Sequence, residues 1–140
     1  MITNKIVLGG ITGAVTLFIL KWIVYGVLLT DWITANLNAC ILRPMDDYII
    51  WAMVIATFAF GFLLSLIFSW SNTTGVVKGA KIAGIIGLLY SVSVDFTLYG
   101  TSTRFNNLSA VLVSVFANVA MWVIAGAVVG WVMGMKKKEV

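Results

Sequence analysis

The sequence predicts an all-α membrane protein, with four transmembrane helices arranged as two pseudo-symmetric helical hairpins and a short interfacial helix between spans 1 and 2. Three observations predict it. Of 140 residues, 61% are hydrophobic and only 10% charged, where soluble domains carry about 25% charged residues. Mean hydropathy is +1.07. Four apolar stretches each reach the roughly 20 helical residues that cross a hydrocarbon core of about 30 Å. They are continuously apolar, whereas barrel strands alternate in polarity over about ten residues. The whole chain, 1–140, then forms one transmembrane domain with spans at about 6–29, 49–70, 77–99 and 108–135.

Span 1 follows Lys5, and its first part, Ile6 to Leu20, has the look of a signal peptide. The apolar run resumes after Lys21 as far as Leu29, too long for a signal core, and no small-x-small cleavage site follows. "LNAC" at 37–40 lies too far from the start for a lipoprotein box, and Asn38 spoils its pattern. Cys40 is the only cysteine, which excludes intrachain disulfides and cysteine-cluster metal sites and leaves a small interfacial thiol.

The connection from 30 to 48 holds the interfacial helix. Thr30 or Asp31 is its expected cap, Trp32, Ile33, Leu37, Cys40 and Ile41 form one face, and Pro44 stops it. Asp46 and Asp47 fall where span 2 presents unpaired N–H groups, so capping is preferred over a divalent-cation site. "SNTTGVVKGAK" is a short polar turn between spans 2 and 3. Span 4 ends in "GAVVGWVMG", a ridge of Gly126, Gly130 and Gly134 that reads as a helix-packing surface, within the chain or against a second copy. Trp32, Tyr48 and Trp51 at one boundary, with Trp70 and Trp131 at the other, read as aromatic belts.

Orientation follows the loop cations. Lys5, Lys78, Lys81, Lys136, Lys137 and Lys138 share one side of a four-span path, and Arg43 and Arg104 take the other with Asp31, Asp46 and Asp47. Both termini are therefore expected in the cytoplasm. The net charge of +4 belongs to that side and not to nucleic-acid binding. "KKKE" at 136–139 is a topology anchor that can touch anionic lipid.

Sliding the chain by 74 residues lays "GAVTLFILKWIVYG" over "GLLYSVSVDFTLYG". Gly10 falls on Gly84, Gly13 on Gly87, Tyr25 on Tyr99 and Lys21 on Asp95. Each unit crosses twice, so the copies would be related by a pseudo-two-fold axis along the membrane normal. A mid-helix charge costs about 2.5–3.5 kcal/mol on insertion scales and normally turns inward to a partner. Lys21 and Asp95 are the only ionisable groups deep in the spans apart from tyrosines, Lys78 and Lys81 standing at the cytoplasmic start of span 3. The alignment makes them a pair across the axis, with Gly10 and Gly13 approaching Gly84 and Gly87. Ser91, Tyr25 and Tyr99 share the polar stripes, and Asn118 of span 4 can bond to the pair or to Thr57, completing an intramembrane polar cluster.

No histidine is present, no nucleophile has a base beside it, and no phosphate-cradling loop follows a strand. Catalysis, cofactors and metal ligation are not expected. The W-x-x-Y-G pattern of Trp22, Tyr25 and Gly26, a following Trp32 and a Gly-rich fourth span resemble a family of small four-span bacterial membrane proteins of unknown function. That resemblance implies a four-helix domain in a bacterial cytoplasmic membrane and carries no activity to any residue. The leading expectation is a non-enzymatic packing module in the lipid bilayer, either a homo-oligomer or an accessory subunit with other membrane subunits. The alternative is a small solute or proton-coupled transporter with its site around Lys21, Asp95 and Asn118.

Overall fold

The computed structural model describes residues 2–38, 40–41 and 43–135. Among them are five helices and one isolated bridge, Leu37 to Phe105, and no strand. The helices are α1 (Ile2–Ile23), prolonged by a π-helical turn over Val24–Leu28, then α2 (Thr30–Asn36), α3 (Ile50–Trp70), α4 (Val76–Thr101) and α5 (Leu108–Gly134). All except α2 are long and apolar enough to cross a membrane. Their ends lie within about one turn of the hydropathy boundaries, because length and apolarity alone set them.

Lys5 Nζ donates to the Met133 carbonyl at 3.3 Å, which ties the start of α1 to the end of α5. Both described chain ends therefore lie at one end of the bundle, here the terminal end. Lys78 and Lys81 lie near that end, and Arg43 and Arg104 at the opposite, distal end. Lys136, Lys137, Lys138 and Glu139 lie outside the described residues.

The helices pack as two hairpins, α1 with α3 and α4 with α5, and the hairpins join mainly through α1 and α5. Glycine decides both pairings. A Cβ on Gly61 would fall on the backbone of Gly10 and Ala14, so α1 and α3 touch backbone to backbone there. A Cβ on Gly79 would fall on the Gly126 carbonyl oxygen, and Gly130 and Gly134 lie against the Thr74–Gly75 turn and Gly79. Close approach of this kind is how membrane helices gain van der Waals contact when lipid is as apolar as they are. The span 4 ridge is thus used inside the chain.

These pairings replace the expected meeting of Gly10 and Gly13 with Gly84 and Gly87. Gly10 lies under Phe62, Gly13 against Gly61 and Val129, Gly84 against Val123, and Gly87 under the Trp122 side chain. The packing is also unequal between the hairpins. α1 lies on α5, and α3 has no comparable contact with α4, so the arrangement does not reproduce the two-fold relation read from the repeat.

Leu17, Leu64, Phe68, Ala83, Trp122, Ala125, Val129 and Met133 form the main core, running from the middle of the bundle toward its terminal end. Ser65 Oγ donates to the Ile6 carbonyl at 2.7 Å beside it, so that buried hydroxyl is answered. A second, smaller cluster of Leu37, Phe105, Ala110 and Val111 sits at the distal end, with Trp32, Ile33 and Leu98 against it. The bundle's distal half is left to the site.

Candidate functional site

The site begins with what the distal half does not fill. Lys21 and Tyr25 come from α1, Asp95 from α4, Ser114 and Asn118 from α5, and Arg104 from the α4–α5 connection; all line one cavity of about 370 Å³. Its floor is aromatic. Phe60, Tyr90 and Trp122 come from three different helices, with ring centroids 5.2 to 5.9 Å apart; Phe60 stands edge-on to the other two rings, and the Tyr90–Trp122 pair is tilted. Offset and edge-on geometry suits the ring quadrupoles. Gly87 leaves the space in which Trp122 stands. By helical rise, Asp95 lies about 9 Å inside the end of α4, so the cavity reaches in among the long apolar helices and not only their connections.

The roof is α2. Trp32, Ile33 and Leu37 line the cavity from above and pack on Phe105, Ala110 and Val111. Backbone bonds latch this roof to the α4–α5 connection: Asn38 N–H donates to the Arg104 carbonyl at 3.0 Å, and Asn106 N–H to the Asn36 carbonyl at 3.1 Å. The apolar face expected to lie on the headgroups is turned onto the bundle, and Cys40 and Ile41 fall outside the helix and are exposed. α2 stops at Asn36, before Pro44, because Leu37 turns extended to reach Phe105. Neither Thr30 nor Asp31 caps it; Thr30 Oγ1 donates to the Tyr25 carbonyl instead, at 3.3 Å, beside the π turn. Single π-helical turns inside α-helices are frequent at functional sites, and this one carries Tyr25.

Electrostatics separate the site from an ordinary polar crossing. The expected Lys21–Asp95 ion pair is not made. The one ion pair among the described residues is Arg43–Asp47 at 3.1 Å, exposed at the distal surface. Lys21 Nζ instead lies 5.3 Å from the Phe60 ring centre, a cation–π position. The physical reason is the packing: α1 was directed to α3 and α5 by its glycines, so Lys21 and Asp95 face one cavity rather than each other. Asp95 is 6% exposed, has Ser114 and Arg104 as its polar neighbours, and its Oδ2 has no hydrogen-bond partner in the protein. Ser91 Oγ, one turn before it and fully buried, and Arg104 Nε also have none. Buried polar groups are nearly always satisfied, and each exception calls for an explanation. Here a carboxylate, an ammonium and a guanidinium converge on one space with hydrogen-bonding capacity to spare.

The remaining expected residues divide. Tyr25 faces Ser114 and Asn118, while its repeat mate Tyr99 is exposed and off the cavity. Thr57 bonds carbonyls of its own helix, Met53 at 3.1 Å and Val54 at 2.9 Å, and not Asn118. Asp46 and Asp47 do not cap α3, whose N-cap is Ile49 without a side-chain bond; they lie in a short 3-10 turn where Asp47 meets Arg43. Trp51, Trp70 and Trp131 are surface residues, 69%, 75% and 58% exposed, as a belt requires; Tyr48 is exposed as well and also borders the cavity, and Trp32 is a half-buried cavity wall. Arg104, Ser114 and the aromatic floor were not legible as site residues. The one available hint was Arg104 itself, the only cation in the α4–α5 connection. No group of histidine, cysteine or carboxylate side chains among the described residues could hold a metal ion.

No known protein family, curated protein or solved structure matches the chain. The loose resemblance of the W-x-x-Y-G pattern gains no support from those comparisons, and the functional reading rests on the cavity.

Proposed function

We propose that this is an integral membrane protein, with both termini in the cytoplasm, that binds and carries a small charged molecule in the distal cavity. The observation that carries the reading is that Lys21, Arg104 and Asp95 line one cavity, with Asp95 Oδ2 and Arg104 Nε unpartnered by protein. Charges retained at membrane depth without mutual pairing are costly and mark solute pathways or proton relays. A packing module needs none of them, and the glycine ridge that argued for association with a second copy is occupied by α4. The α2 segment then lies at the outer membrane surface as a roof over the site. The loop cations support the orientation.

Access and binding test the proposal together. In a Cys40→Ser background, Asn118→Cys should react with a small charged thiol reagent added from outside, and Ala125→Cys in the core should not. Purified protein should be stabilised in a thermal-shift screen by one or more anions or zwitterions, and Asp95→Asn or Lys21→Met should abolish the shift while remaining monodisperse. An Asn118→Cys protein that never labels, together with a screen blank for the parent, would remove the binding reading and return the packing module to first place.

A further inference from the structure

We infer that the bound molecule is a phospholipid, taken sideways from the bilayer through a groove between α1 and α3, with its phosphate on Lys21 and Arg104 and a head-group donor on Asp95. The inference rests on the binding reading above and names its ligand. Its first support is a second void of about 640 Å³ that shares Lys21, Tyr25 and Tyr48 with the polar cavity. The two spaces are neighbours with three side chains as their common wall. The inner chamber is the more polar of the two. The groove's surface is mostly apolar, running past Trp22, Gly26, Ile49, Ile50 and Met53, with Arg43 and Asp46 also on its wall.

The groove has a structural cause. Gly13 and Gly61 hold the α1 and α3 backbones together toward the terminal end. Two turns further along α1, Lys21, Trp22 and Tyr25 stand opposite Met53 and Ile49, and bulk on both sides parts the helices. Trp22 and Ile50, on its walls, are 54% and 45% exposed on the surface that meets lipid. A wholly polar solute would leave this larger space unused, whereas an acyl chain fills it at little cost because hydrocarbon is its surroundings already.

Charge then selects the head. Two cations face one carboxylate, so the chamber carries a net positive charge that complements a phosphate monoanion. The Asp95 carboxylate accepts but cannot donate while ionised, which calls for a hydroxyl or ammonium on the same head. Phosphatidylglycerol and phosphatidylethanolamine meet that requirement; phosphatidylcholine, lacking any N–H or O–H, does not.

The test uses the full-length protein in nonionic detergent. Dihexanoyl phosphatidylglycerol and phosphatidylethanolamine should each bind at least about ten-fold more tightly than dihexanoyl phosphatidylcholine and than glycerophosphoglycerol, the deacylated head. Ala52→Trp, filling the groove, should weaken phosphatidylglycerol binding by about ten-fold or more and leave the weak binding of glycerophosphoglycerol unchanged. Ala52→Phe serves in the same way if the tryptophan variant is not monodisperse. Lys21→Met should weaken both probes. Equal affinity for the acylated and deacylated heads, or equal affinity for the choline lipid, overturns the inference and leaves the cavity reading standing. So does the absence of lipid binding by a protein whose Asn118→Cys form still labels.

Discussion

Leu37→Ala tests whether the roof is a separate, movable part. Leu37 is 7% exposed and packs with Phe105, Ala110 and Val111 at the distal end, where the alternative to packing is water. The hydrophobic effect therefore acts on this cluster in full, as it does not between helices in hydrocarbon. Truncating a buried leucine to alanine costs about 2–5 kcal/mol in soluble cores. The cluster is small and at a surface, so the lower part of that range, about 2–3 kcal/mol, applies. The glycine contacts that hold the four spans together are remote from it. The loss should therefore fall on roof opening and not on the bundle. At about 1.4 kcal/mol per decade, the open population should rise by about 30- to 150-fold. The assay is the rate at which Asn118→Cys reacts with a charged thiol reagent in the Cys40→Ser background, with exchange of the α2 amides as a second readout. Both should accelerate together, with the thermal transition of the spans little changed. Unchanged labelling, or a bundle that melts as one unit with the roof, would refute the separation.

Gly79→Val should prevent accumulation of folded protein, because its Cβ would occupy the position of the Gly126 carbonyl oxygen; Gly100→Ala, with nothing near its Cβ, should be neutral or stabilise by up to about 1 kcal/mol in a detergent unfolding titration. Lys21→Met and Asp95→Leu should be nearly additive in a double-mutant cycle, with coupling below about 1 kcal/mol, since a broken buried ion pair would instead cost about 3–5 kcal/mol and recover in the double mutant. Arg43→Ala should change stability by less than about 0.5 kcal/mol, its pair with Asp47 being exposed on both sides. Thr103→Cys, beside Arg104, should label from outside the cell and Lys78→Cys should not; the reverse pattern would invert the orientation.

The four long apolar helices were legible because hydropathy and length are local properties. Lys21, Asp95, Tyr25 and Asn118 were legible as rare polar groups in apolar runs. Their relation was not. A helix apolar on every side carries no stripe to say which neighbour it meets, so the repeat was the only guide, and it set span 1 against span 3. What decided the neighbours was where backbone could touch backbone, at Gly61 and at Gly79, and that depends on two helices at once. Arg104 and Ser114 escaped for the same reason: an arginine in a connection and a serine in a span become site residues only when a roof and a floor enclose them.

The asymmetry between the hairpins explains how a small chain can carry such a site. If spans 1 and 3 had met at their glycines, Lys21 and Asp95 would have neutralised each other in a closed pair, with no capacity left for a third group. Because α1 instead packs on α3 and α5, the ammonium is diverted to the face of Phe60, and the carboxylate keeps an oxygen that no protein group answers. Glycines draw the terminal half tight, and the bulky residues that follow them along α1 hold the distal half apart. A substitution that tightens the distal crossing, such as Met53→Gly, should therefore narrow the groove and draw Lys21 away from Phe60. The readouts are slower Asn118→Cys labelling and weaker phospholipid binding, with the bundle itself still folded. Faster labelling in that variant would show that the distal gap is set by the roof and not by the bulk between α1 and α3.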